Sequence, residues 1–372
     1  MTPPLPSQGK RRRATTMTDV AKAAGVSQST VSMVLNNVSG SRLAAETRTR
    51  VLAAALELGY NLPRQEAAAP ETAPKKRVIA YLVDEISTSP HPVVSLDGAR
   101  DAAWQRGYTV QLAVTRGKPE QEAASIAAMQ EHPGLLGWIY STIFTRQVQV
   151  PDALLALPTV LLNCQDPARK LPAVVPGELA GGHTATEYLI GMGHTRIGFI
   201  NGEPWMEAAQ GRFKGYRRAL ASADLPFDPA LVRDGDWMSG SGFDGTLSLM
   251  REARPPTAIF CANDLMALGA LEAVKQLGLR VPQDVSVMGY DDQEISRHTH
   301  PPLTTMVLPN YDMGYAAVEA LIELAESATP LAAPRRILIK TECPLIRRDS
   351  VQQLPPQRPP SPPPHATTTQ TP

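Results

Sequence analysis

Ser27, Gln28, Ser29 and Thr30 are four consecutive side chains that each donate and accept hydrogen bonds. Gathered on the first turn of a helix, such a set can pair with base edges in a DNA major groove. Ser32 and Asn36, about one and two turns further on, can reach phosphates. The neighbouring residues must build that helix and hold it. Val20, Ala21, Ala24, Val26, Val31, Val34 and Leu35 recur at helical spacings on both sides of Gly25, which predicts two short helices sharing one small core. Gly25, lacking a Cβ, can take the positive φ that ends the first helix, and Ser27 can then cap the second by accepting from an early backbone N–H. This is the layout of a helix-turn-helix, whose second helix enters the groove by its N-terminal end. Periodicity alone fits equally well two helices of an ordinary α-domain with a polar outer face.

Catalytic patterns are missing. The chain has no G-x-S-x-G, no phosphate-binding G-x-x-x-x-G-K-[ST], no H-E-x-x-H and no G-x-G-x-x-G after a strand. Its closest histidine pair, His298 and His300, runs into Pro301-Pro302 with no cysteine nearby, which reads as a loop and not a metal site. Cys164, Cys261 and Cys343 stand far apart and read as reduced core residues. No catalytic residue, metal or cofactor is therefore expected. Through residue 62, Lys10, Arg11, Arg12, Arg13, Lys22, Arg42, Arg48 and Arg50 oppose only Asp19, Glu46 and Glu57, although the 372-residue chain carries 36 basic and 36 acidic residues in all. A basic end on a neutral protein fits a polyanionic partner bound through that end, with binding that weakens steeply as salt rises. The N-terminus has no signal-peptide pattern and no apolar run reaches membrane-spanning length, so a cytoplasmic, nucleoid-associated protein with no membrane partner is expected.

Five segments follow along the chain. Residues 1–15 are Pro-rich and then basic, and read as a disordered arm. Residues 16–62 form the head, with a third helix over 46–58 whose Val51, Leu52, Ala55, Leu56 and Leu58 are expected to face the first two helices. Residues 63–77 are a hinge or linker. From residue 78 to 349 short apolar strands alternate with helices: strands over 78–83, 109–114, 137–140, 159–162, 197–200, 257–261, 285–289 and 336–339, and helices over 181–192, 211–223, 264–278 and 311–326. Repeated units of this kind predict two α/β lobes with doubly wound parallel sheets, and ligands of such sheets bind beyond the carboxyl ends of the strands. Residues 350–372, rich in Pro, Gln, Ser and Thr, read as a disordered tail.

The run Asp19-Val-Ala-x-x-Ala-Gly-Val-Ser-x-x-Thr-Val-Ser-x-x-Leu-Asn36 resembles the DNA-reading signature of the LacI/GalR family of bacterial transcription regulators. Segments 193–200, 262–269, 278–292 and 302–305 are similar to that family's effector-binding core, which looks like a periplasmic sugar-binding protein. The resemblance spans about residues 16–348. It implies a homodimer whose two heads read the halves of a near-palindromic operator in double-stranded DNA, with Thr16, Ser27, Gln28, Ser29, Thr30, Ser32 and Asn36 at the DNA. It also implies a small-molecule effector between the lobes, a mono- or disaccharide, that relieves repression; activation, or corepression by a non-sugar metabolite, is the alternative outcome. Arg212 matches the family's binding Arg and Asp291 its binding Asp. Asn263 is assigned to the ligand and Asp264 to a helix cap. Trp237 stands where relatives present a ring, Asn163 is a weaker candidate, and Ser87, Thr88 and His91 are weaker still.

Two departures from the family pattern stand out. Ala69 occupies the position where relatives wedge a Leu into a minor-groove step, and Pro70 follows it, so a plain flexible linker is favoured over a hinge helix that bends DNA. Met33 stands where relatives commonly carry Arg, so one guanidinium contact to DNA is absent. The operator is accordingly expected to differ from the family consensus near each half-site, and selection on random duplexes that returned the usual consensus would disprove this. A transport receptor is the rival reading of the core; the attached head argues against it.

Overall fold

The computed structural model describes residues 15–35, 45–58, 60, 77–327 and 337–355. Asn36, the basic arm, the hinge with Ala69 and Pro70, and residues 356–372 lie outside the described residues.

Three helices make the head: α1 (Met17–Ala24), α2 (Gln28–Leu35) and α3 (Ala45–Glu57). Thr16 starts α1 with a reciprocal capping box, its hydroxyl accepting from Asp19 N–H while the Asp19 carboxylate accepts from the Thr16 backbone. Gly25 ends α1 in the left-handed region at φ 62°. Ser27 Oγ accepts from Thr30 N–H at 2.9 Å and so caps α2. Val20, Val31, Val51 and Ala55 close the small core. The expected inner face of α3 needs correction. Val51, Ala54 and Ala55 are the buried stripe, whereas Leu52, Leu56 and Leu58 are exposed, Leu56 at 73%. Positions 52 and 56 lie about 100° around the helix from 51 and 55, and so short a helix buries only one narrow stripe.

Behind the head the chain enters a first lobe through β1 (Arg77–Val83), α4 (His91–Gln105), β2 (Tyr108–Val114), α5 (Pro119–Gln130), β3 (Leu135–Gln147), β4 (Thr159–Gln165) and β5 (Ala173–Pro176). It crosses to a second lobe of α6 (Glu178–Gly191), β6 (Ile197–Asn201), α7 (Glu207–Ser222), β7 (Val232–Asp234), α8 (Ser239–Met250), β8 (Ala258–Cys261), α9 (Asp264–Gln276), β9 (Ser286–Met288) and β10 (Thr305–Met306). It returns to the first lobe with α10 (Asn310–Glu326) and β11 (Leu338–Thr341), and β12 (Leu345–Ile346) then pairs antiparallel with β10. The first sheet has the order β11-β5-β4-β3-β1-β2 and the second β7-β6-β8-β9, with parallel pairing throughout both. Helices cover both faces of each sheet, which is why the strands read as continuous apolar runs. The expected doubly wound two-lobed core is therefore what forms.

The core continues past residue 349, which moves the start of the expected tail. Ser350 is fully buried, with Oγ donating to Val287 O at 2.6 Å, and Leu354 N–H reaches Met192 O at 2.7 Å. Composition hid this, because the buried Ser350 and Val351 side chains suffice to seat the segment. The three cysteines are buried as expected, and burial pushes the Cys164 and Cys343 thiols up to about 12.

Candidate functional site

Between the lobes, at the carboxyl ends of both sheets, lies a cavity of about 290 Å³. All five residues assigned to an effector, Arg212, Asp291, Asn263, Trp237 and Asn163, line it, together with His91, Glu178, Glu203, Asp236 and Gln293. Three of the five sit in left-handed backbone, Asn163 within β4 at φ 58° and Trp237 and Asp291 just beyond β7 and β9 at φ 68° and 115°. Non-glycine residues rarely adopt such angles, and strain of this kind collects where side chains are aimed at a ligand.

Their side chains divide into those that hold the walls and those that face the space. Arg212, on α7, is 3% exposed. Its Nε donates to Glu178 Oε2 at 2.6 Å and its Nη2 to Glu178 Oε1 at 2.9 Å, while Nη1 donates to Ala262 O. Its Cζ lies over the Tyr290 ring, 3.7 Å from the centroid. The guanidinium is thus largely committed within the second lobe and is no surface arginine. Glu178 was not foreseen: it opens α6 directly after β5, a strand the residue pattern did not reveal, so the strand-end rule had nothing to act on.

Asn163 and Asn263 are also committed. Asn163 Nδ2 donates to Thr142 O and Ile143 O at 2.9 and 3.1 Å and its Oδ1 accepts from Thr145 Oγ1 at 2.5 Å. Asn263 Oδ1 accepts from Met266 N–H at 2.9 Å and its Nδ2 donates to Trp237 O at 2.9 Å. Asn263 is therefore the cap of α9, correcting the assignment of that cap to Asp264. The neighbouring Asp264 points inward instead, accepting from Thr305 Oγ1 at 2.6 Å and Gln293 N–H at 2.8 Å. Burial, with the Asp291 charge beside it, pushes Asp264 well above the ordinary carboxylate range.

Asp291 is different. It is 8% exposed, and its Oδ1 has no hydrogen-bond partner among the described residues; Arg212 Nη1 lies 3.6 Å away. Its Oδ2 lies 3.5 Å from His91 Nε2 of the first lobe. His91 Nδ1 in turn accepts from Asn310 Nδ2 at 3.0 Å, which leaves the Nε2 proton facing Asp291. Trp237 lies flat over Gly202, where a Cβ would meet the ring at 2.0 Å, so only glycine leaves room for the indole in this wall. Ser87 is not at the cavity and donates to Glu85; Thr88 lines it. Four lining carboxylates against one paired guanidinium make the space electronegative, suited to a ligand that brings hydrogen-bond donors.

In the head, Thr16 and Ser27 serve as caps, and Ser27 Oγ also contacts Ser29 Oγ and Thr30 Oγ1. Ser27, Gln28, Thr30 and Ser32 are buried and Ser29 is exposed. Of the residues assigned to DNA, Ser29 is thus the exposed one on the first turn of α2. The Gln28 amide is turned toward the core and donates to Thr18 Oγ1 and, at 3.3 Å, to Asp312 Oδ2.

Comparison with known proteins joins the two parts. Residues 16–62 match the family model described as bacterial regulatory proteins, lacI family, and residues 186–351 match a periplasmic binding protein-like domain. The chain is 35% identical over 320 residues to the HTH-type transcriptional repressor PurR of Aliivibrio fischeri, covering 83% of this chain and 91% of the relative. It is 31% identical over 342 residues to the ribose operon repressor of Haemophilus influenzae, covering 91% and 99%. Among solved structures, the transcriptional regulator CelR in complex with cellobiose aligns with TM-score 0.62 at 29% identity, over 90% of this chain and 99% of that one. The lac repressor dimer bound to operator and an anti-inducer aligns with TM-score 0.63 at 28% identity, over 91% and 100%.

Proposed function

The chain belongs to the lacI family of bacterial regulatory proteins, and from that premise we propose that it is a DNA-binding transcriptional repressor whose operator affinity is switched by a neutral, hydroxyl-rich small molecule held between the lobes. A two-fold dimer presents two heads to the halves of one operator in the cytoplasm, a reading supported by the likeness to a lac repressor dimer bound to operator. The relatives are repressors, not enzymes.

The buried, unpartnered Asp291 Oδ1 carries the reading of the ligand. An ionised carboxylate accepts only, so a ligand must offer it a donor such as a sugar hydroxyl. Glu203 and Asp236 repel a phosphate or carboxylate on the ligand, and Arg212 is already neutralised by Glu178. The Trp237 indole supports an apolar sugar face. A cavity of about 290 Å³ lies at the small end of small-molecule sites and favours a monosaccharide over a disaccharide. The flat Trp237 surface also suits a nucleobase, which is the second reading.

Thermal unfolding of the full-length protein with neutral monosaccharides, their phosphate esters and free nucleobases separates these. A neutral sugar is expected to raise the melting temperature by mass action while its phosphate ester does not. A larger shift with the phosphate ester than with its parent sugar, or with a nucleobase alone, would sink the sugar reading.

A further inference from the structure

We propose that the face of the first lobe formed by α4 and the start of α10 is a docking surface for the chain's own head, and that a docked head is withheld from DNA. The contact has an apolar and a polar part. Tyr311 belongs to the same buried cluster as Met17, Val20, Ala24 and Val31, and Val94 and Tyr315 pack against it. Beside this cluster Thr18 Oγ1 donates to Asp312 Oδ2 at 2.5 Å, and Gln28 Nε2 donates both to Thr18 Oγ1 and to the same carboxylate. Asp312 thus takes the donors of a side chain at the leading end of the reading helix. An acceptor-only carboxylate offers that amide what a purine edge would offer it. Gln28 is 9% exposed in this arrangement, so its amide cannot reach a base edge in a major groove while it lies on Asp312. Docking and reading exclude one another.

The same end of α10 also reaches the effector cavity, and here the inference rests on the sensing role proposed above. Leu308 lines the cavity, and Asn310 donates to His91, whose other nitrogen faces Asp291. Asp312 is two residues further along. A ligand donor on Asp291 Oδ1 draws on the same carboxylate whose Oδ2 faces His91, and through His91 and Asn310 it biases the start of α10, and with it the docked and released heads, differently.

Thr18→Cys/Asp312→Cys in the full-length protein tests this directly, since Cys164, Cys261 and Cys343 are buried and stay out of the reaction. Gentle oxidation of the DNA-free protein is expected to form an intramolecular disulfide. The cross-linked form is expected to lose on the order of tenfold in affinity for a random-sequence duplex at low salt, with recovery on reduction. Asp312→Ala is expected to bind the same duplex several-fold more tightly, because a larger fraction of heads is released, with an unchanged unfolding midpoint. Failure to cross-link, or a cross-linked protein that binds as well as the reduced one, overturns the proposal. A protein that cross-links but never binds duplex, even as Asp312→Ala, overturns DNA reading itself and with it the claim that docking withholds it.

Discussion

Arg212→Ala is expected to destabilise the second lobe by about 3–5 kcal/mol, an effect on folding before any effect on ligand. The residue is 3% exposed and holds Glu178, 7% exposed, through two charge-assisted hydrogen bonds. Truncation leaves the Glu178 carboxylate buried without its cation, and also strips a donor from Ala262 O and a ring partner from Tyr290. Breaking a buried pair in this way costs far more than the pair's net contribution, because the remaining charge is uncompensated. The double variant Arg212→Met/Glu178→Met removes both charges at similar volume and is expected to recover most of the loss. Urea unfolding of the two variants and the parent measures this. A single variant that unfolds at the parent midpoint would show that the pair contributes no stability. Loss of effector response in Arg212→Ala alone is consequently poor proof of ligand contact.

Asp291→Asn is expected to behave the opposite way, leaving the unliganded protein as stable as the parent while weakening the effector by about 10–150-fold, the worth of a hydrogen bond to a charged group. Asn tolerates left-handed backbone, which this position requires at φ 115°. The substitution also removes a buried carboxylate whose Oδ1 has no hydrogen-bond partner among the described residues and which sits beside the buried Asp264. What is lost is the carboxylate that a ligand hydroxyl would fill. Calorimetric titration with whichever sugar stabilises the parent gives the affinity, and duplex binding without ligand serves as the control. Undiminished affinity would remove Asp291 from the site.

Several features were legible in the residues alone because they follow from local rules. Gly25 and Ser27 set the turn and cap between α1 and α2 through backbone freedom and one short hydroxyl. The apolar runs at 78–83 and 159–162 announced buried parallel strands because both faces of their sheet are covered. Resemblance to a known family placed Arg212, Asp291 and Trp237, the ends of two apolar runs placed Asn163 and Asn263, and all five line one cavity.

What each side chain does there was decided only by the tertiary structure. Hydrogen-bond partners come from distant parts of the chain: Glu178 is 34 residues from Arg212, and Trp237 is 26 from Asn263. No periodicity can reveal whether an asparagine spends its amide on a ligand or on its own wall. The same holds for the head. Short-range pattern determined that residues 17–35 fold as two helices around a glycine turn, because helix and cap interactions span only a few positions. That Gln28 ends at Asp312, 284 residues away, is a matter of how two folded surfaces meet, and that is settled by packing between them.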